Sequence, residues 1–112
     1  IKMNARGRYF QEDDKWYYDM VLETLDLIKE HDLIVEINTR GIYKQRYNGF
    51  YPSEWLFKRM RELNVPVVIS SDAHQYWEMT SFFAEAEEAI KNAGYKETMC
   101  LVNGSWNAME LV

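Results

Sequence analysis

Val65-Pro66-Val67-Val68-Ile69-Ser70-Ser71-Asp72-Ala73-His74 is the stretch on which the architecture of this chain turns. Its first half is short, β-branched and apolar on successive positions, the pattern of a strand covered on both faces in a parallel sheet. Upstream, Leu33-Ile34-Val35-Glu36-Ile37-Asn38 has the same character apart from its two polar residues. Parallel strands cannot be joined by a tight turn, and the 26 residues between Asn38 and Val65 leave room for a loop and a crossover helix. Pro52-Ser53 opens that helix, with Leu56, Met60 and Leu63 on one stripe. The expectation is a parallel pair over residues 33–38 and 65–70, a loop over 39–51 rich in Gly, Tyr and basic residues, and a helix over 53–63.

Working outward, residues 1–14 mix charge, Gly7 and aromatics without a period and read as a loop that carries Arg6 and Arg8. From Trp16 to Glu30, Tyr17, Met20, Val21, Leu25 and Ile28 recur at steps of mostly three and four, predicting an amphipathic helix with Asp13 or Asp14 as N-cap. A third helix is expected from Thr80 or Ser81, burying Phe83, Ala86, Ala89, Ile90 and Ala93 and stopping at Gly94. Asn103-Gly104 between residues 97–102 and 106–112 is a strong hairpin signal. With no repeat and no linker, the order helix, strand, helix, strand, helix and terminal hairpin predicts a single α/β domain over residues 1–112.

At 112 residues the chain has enough length for one modest core but falls short of the roughly 200 residues of a closed strand-helix barrel. A net charge of -5, from 18 acidic against 13 basic residues, supplies no basic footprint and argues against a nucleic-acid partner. Cys100 stands alone in Met99-Cys100-Leu101-Val102, which excludes an internal disulfide, and reads as a small hydrophobe in a strand. No apolar run approaches the ~20 residues that span a bilayer, and the opening residues do not resemble a signal peptide, so no membrane association and a reduced, cytoplasmic setting are expected. The start on Ile1 rather than Met predicts a fragment of a longer protein.

Functional groups in parallel α/β structures collect at the carboxyl ends of strands. Asp72 and His74, two residues apart at such an end, can reach one side of an extended segment and meet one cation. The alternative is that Asp72 caps the following segment while His74 bonds locally. Glu36 interrupts an apolar strand and, if buried, needs a cation, a donor or water. Asn38 faces the same way, so the two either line a polar pocket or belong to a structural ion pair. Arg40, before Gly41, is placed for a bidentate grip on phosphate or carboxylate, or is an ordinary loop arginine. His31 beside Asp32 is accounted for by the helix dipole.

Glu36-Ile37-Asn38-Thr39-Arg40-Gly41, then Tyr51-Pro52-Ser53, then Val65 to His74, in this order and at these intervals, resemble the PHP (polymerase and histidinol phosphatase) family, and within it the histidinol-phosphatases. The helix ending in Ala93-Gly94-Tyr95-Lys96-Glu97 and the closing hairpin resemble that family's C-terminus, so the likeness covers nearly the whole chain. It implies the C-terminal part of a distorted strand-helix barrel that hydrolyses a small phosphorylated substrate, histidinol phosphate to histidinol and phosphate, in histidine biosynthesis. It also implies divalent metals, up to about three in the intact protein, with Zn, Mn and Fe all suited to imidazole and carboxylate donors. Asp72 and His74 match the family's Asp-x-His metal ligands, Glu36 and Asn38 its Glu-x-Asn strand, and Arg40 and Arg8 its basic phosphate contacts.

The family's opening His-x-His motif, middle acidic ligand and Gly-His motif have no counterpart here. The fragment alone is therefore expected to be inactive, and to self-associate through edges and faces that a missing half would cover. The alternatives are a PHP phosphoesterase acting on nucleotides or other phosphates, and a catalytically silent interaction domain on the same fold.

Overall fold

The computed structural model describes residues 2–4 and 6–112; Ile1 and Ala5, and the expectations that touch them, lie outside these. After a 3-10 turn at Lys2–Asn4, the loop to residue 14 is gathered on Asn4, whose Oδ1 accepts the backbone N–H of Tyr9 and Phe10. Helix α1 runs Lys15–Glu30. Tyr17 and Leu25 are its buried positions. Met20, expected on that stripe, is exposed, because it lies ~60° round the helix from Tyr17, at the stripe's edge. Asp14 occupies the N-cap position, but its carboxylate turns back to accept the N–H of Gln11 at 3.0 Å and caps no helix donor.

Strand β1 (Val35–Asn38) pairs in parallel with strand β2 (Val67–Ser70), Val35 opposite Val67 and Asn38 opposite Ser70. The expected strands thus exist and are parallel, shortened at their starts. Between them come a helical turn α2 (Arg40–Tyr43), a 3-10 turn at Glu54–Leu56 and helix α3 (Phe57–Glu62). Residues 39–51 are therefore not all loop. Asn38 bridges Tyr51 across β1's free edge, its N–H donating to Tyr51 O at 2.8 Å and its carbonyl accepting Tyr51 N–H at 3.1 Å. The segment folds back on the strand it leaves, and α2 forms in the bend.

Beyond β2, a 3-10 turn at Tyr76–Glu78 precedes helix α4 (Phe83–Asn92), which starts two or three residues later than the sequence suggests. Gly94 ends it with φ +98°. Strands β3 (Glu97–Val102) and β4 (Ser105–Glu110) form the hairpin. Asn103 and Gly104 at its tip have φ of +50° and +78°, the left-handed pair that a two-residue turn matched to strand twist requires.

The core joins one face of the parallel pair, Ile37 and Val67, to Phe57, Met60, Ala86 and Ile90, with Leu25 from α1. The other face, Glu36, Asn38, Val68 and Ser70, is only partly covered, and Glu36 is exposed. This corrects the expectation of strands covered on both sides. The hairpin is a separate two-stranded sheet, tied to β2 where the Thr98 hydroxyl donates to Val67 O at 3.0 Å. Every residue of β4 is exposed, and so is Cys100 on β3, which is not the buried small hydrophobe its neighbours suggest. The result is a mixed α/β structure with a parallel pair and a hairpin; no barrel closes among the described residues. None of their helices is long and apolar enough to cross a membrane.

Candidate functional site

Because β1 and β2 are parallel and in register at Asn38 and Ser70, the chain leaves both strands side by side, and Thr39 N–H donates to Ser70 O at 2.9 Å. Arg40 follows the first strand and Ser71-Asp72-Ala73-His74 the second. Asn38 Oδ1 accepts the Arg40 N–H at 2.9 Å and so holds the first turn of α2. Asp72 adopts φ +50°, a conformation short polar side chains tolerate better than most. That bend places the Asp72 carbonyl where both Arg40 Nη1 and the Tyr43 hydroxyl reach it.

The centre of the arrangement is the Arg40 guanidinium. The residue is 8 % exposed, a buried cation that requires compensation. Its Nη1 meets the Asp72 carbonyl, lies 3.4 Å from the Asp72 carboxylate and 2.5 Å from His74 Nδ1. An arginine nitrogen can only donate. His74 Nδ1 thus stands between two groups, the guanidinium, from which it can only accept, and the Asp72 carbonyl 2.8 Å away, to which it can only donate, and the ring's tautomer selects which of the two it bonds.

A ring of contacts outside this centre holds it in place. Tyr43 donates its hydroxyl to Ser71 O at 2.7 Å, Ser71 donates to Met79 O at 2.9 Å, and Thr39 donates to Ser81 O at 2.8 Å. Glu78, 3 % exposed, accepts the His74 N–H at 2.9 Å and pairs with Lys44. The Lys44 ammonium, with help from backbone N–H groups at His74 and Gln75, draws the Glu78 carboxyl down to about 2 against the opposing effect of burial. Sequence reasoning missed Glu78 and Tyr43. Neither has a periodic signal, and the Lys44–Glu78 pair is separated by 34 positions.

Five of the six candidate residues come together. Asp72 and His74 meet through Arg40; Asn38 anchors Arg40's backbone and donates to Glu36 at 3.3 Å; Glu36 also accepts from Ser70. Glu36 thus meets donors, at an exposed position. Arg8 is exposed, with its guanidinium 5.4 Å from the ring centre of its neighbour Tyr9, and no described contact brings it to Arg40. His31 occupies the C-cap of α1. A cavity of about 340 Å³ opens at the opposite, amino end of β2, beside Arg61, Val65, Val67 and Tyr95, and does not reach these residues.

An imidazole and a carboxylate are suitable donors for a divalent metal, but as arranged they do not fit one. Arg40 fills the space between them, and a catalytic centre normally fixes at least three protein groups. Among the described residues no three His, Cys, Asp or Glu side chains gather into such a group.

No family model matches the chain. It is 33% identical over 51 residues to a histidinol-phosphatase of Bacillus subtilis (strain 168), covering 46% of this chain and 19% of that protein. It is 33% identical over 73 residues to a probable histidinol-phosphatase of Deinococcus radiodurans, covering 65% of this chain and 28% of that protein. The matches thus take in less than a third of the length of either relative, and over that part the chain is similar to histidinol-phosphatases.

Proposed function

We propose that this chain contributes one side of the active site of a phosphatase that hydrolyses a small phosphate monoester, histidinol phosphate in the first instance, as the C-terminal part of a PHP-type barrel. The observation that carries the reading is the convergence of Arg40, Asp72 and His74 at the carboxyl ends of two adjacent parallel strands, where α/β enzymes assemble their chemistry. The partial similarity to histidinol-phosphatases supports it.

In this reading Arg40 grips the phosphoryl oxygens, since a planar guanidinium matches phosphate geometry. Asp72 and His74 would supply two of the donors of a divalent metal centre only in an arrangement other than the present one, with further ligands from outside these residues. Asn38 holds the backbone of Arg40, and Glu36 orders Asn38 and Ser70 beside it. Glu78 and Tyr43 keep the His74 segment against α2.

The test is phosphate release from histidinol phosphate by a longer protein that contains this chain. Asp72→Asn and His74→Ala are each expected to lower it by about 100-fold, with loss of bound metal. The isolated chain should release negligible phosphate. Unchanged turnover and metal content in both variants would leave Asp72 and His74 with a structural role and favour an interaction domain.

A further inference from the structure

We propose that the free edge of β4 is a docking surface for a second copy of this chain, the two β4 strands pairing antiparallel about a two-fold axis at Ala108. The inference goes beyond the phosphatase reading and does not depend on it. The hairpin is a sheet of two strands, tied to β2 where Thr98 donates to Val67 O. A ribbon of two strands is marginal in water, and further strands are what stabilise it.

The backbone sets which groups the edge presents. Leu111 N–H donates to Lys96 O at 2.8 Å. In the register that sets Glu97 opposite Glu110 and Val102 opposite Ser105, the residues Ser105, Asn107 and Met109 therefore turn their N–H and C=O towards β3. Trp106, Ala108 and Glu110 turn theirs outward, where no further strand pairs among the described residues and the whole of β4 is exposed. Native edges are commonly blunted by Lys, Pro or a bulge. This one has no Lys and no Pro, and pairs with β3 residue for residue along its length.

Symmetry then selects the occupant and its register. Residues directly opposite in a sheet share a face, so a two-fold axis between like strands passes through a residue rather than between two. Centred on Ala108, it sets Ala108 against Ala108, and Trp106 of each copy against Glu110 of the other. Every outward N–H and C=O of the strand is then engaged. Centred on Asn107, the axis carries Glu110 against the turn at Gly104; centred on Met109, it carries Trp106 past the strand to Val112. In the Ala108 register Glu110, the one charge on β4, does not meet its own copy. The small Ala108 of one copy is the diagonal neighbour of Trp106 of the other, and Leu101 already stands opposite that indole within the hairpin. The apolar sides of the two hairpins thus become continuous.

The test is sedimentation of the 112-residue chain over a concentration series, with amide hydrogen exchange followed by NMR. A dimer is expected, in which the amides of Trp106, Ala108 and Glu110 gain protection. Ala108→Pro removes the N–H at the axis and takes none from the β3 ladder. It should raise the dissociation constant at least about tenfold, since two hydrogen bonds are lost per dimer. A chain monomeric throughout the series overturns the proposal. So does a dimer whose three amides exchange as freely as in the monomer, which places the contact on other surfaces, or an Ala108→Pro that dimerises like the wild type. If Ala108→Pro does not fold, Ala108→Lys, exposed in the monomer, sets two ammonium groups face to face at the axis. Undiminished dimerisation of that variant overturns the proposal equally.

Discussion

At the scale of single residues, two buried ionisable groups make the fold sensitive to pH from opposite directions. The Glu78 carboxyl is drawn down to about 2 from 4.5, first by its hydrogen bond from Lys44. A depressed carboxylate stabilises the fold at pH above its unfolded value, and that contribution is lost as pH falls through the folded one. The stability difference between the wild type and Glu78→Gln, read from urea midpoints, should be constant above about pH 5 and shrink between 4.5 and about 2. A difference independent of pH would remove Glu78 from the ion pair. Tyr95 titrates the other way. Burial pushes its hydroxyl up to about 12, against the lowering effect of Arg61, and the neutral O–H donates to Val65 O at 2.8 Å. Its contribution is fully present below the ordinary value of 10.0 and declines as pH rises towards about 12. Absorbance at 295 nm should show a late tyrosinate step that Tyr95→Phe removes.

At the scale of elements, the site depends on how α2 is seated. A Cβ on Gly41 would lie 3.0 Å from Gly49 O and 3.0 Å from the Tyr51 ring. Gly41→Ala must therefore push α2 away from the segment that folds back on β1, and Arg40 with it. A stability loss of about 1–3 kcal/mol is expected from such overpacking. The ¹⁵N signals of the His74 ring should shift as well; a silent Gly41→Ala would show that α2 tolerates displacement. The crossover helix is held by burial instead. Met60 on α3 is wholly buried beneath the parallel pair, and Met60→Ala is expected to cost about 2–5 kcal/mol by urea unfolding.

At the scale of the molecule, the hairpin stands apart from the core. Leu101, Trp106 and Met109 are 57%, 48% and 52% exposed, and α1 leaves Trp16, Met20 and Leu27 exposed as well. Apolar surface of this kind on a small chain tends to find a partner. The chain is expected to associate at micromolar concentration, and Leu101→Lys with Trp106→Lys should shift it towards monomer by light scattering. A wild type that stays monomeric would show that these surfaces are tolerated in water.

The sequence by itself determined the first long helix, the parallel pair and the hairpin. A period of 3.6, a β-branched run repeated before and after a helical stripe, and Asn103-Gly104 are local signals, and a parallel pair needs a crossover that residues 39–64 could supply. It also singled out Asp72 and His74 as a pair, as metal ligands or as a local cap, since their spacing lies within one strand end. Only the tertiary structure decided what stands between them. Arg40 reaches His74 across 34 positions because two strands happen to be neighbours in register, and Glu78 is buried because Lys44 comes to it from another loop. The exposure of Glu36, Met20 and Cys100 belongs to the same category. A residue's sequence pattern states which face it shares, whereas whether anything covers that face depends on how distant segments pack.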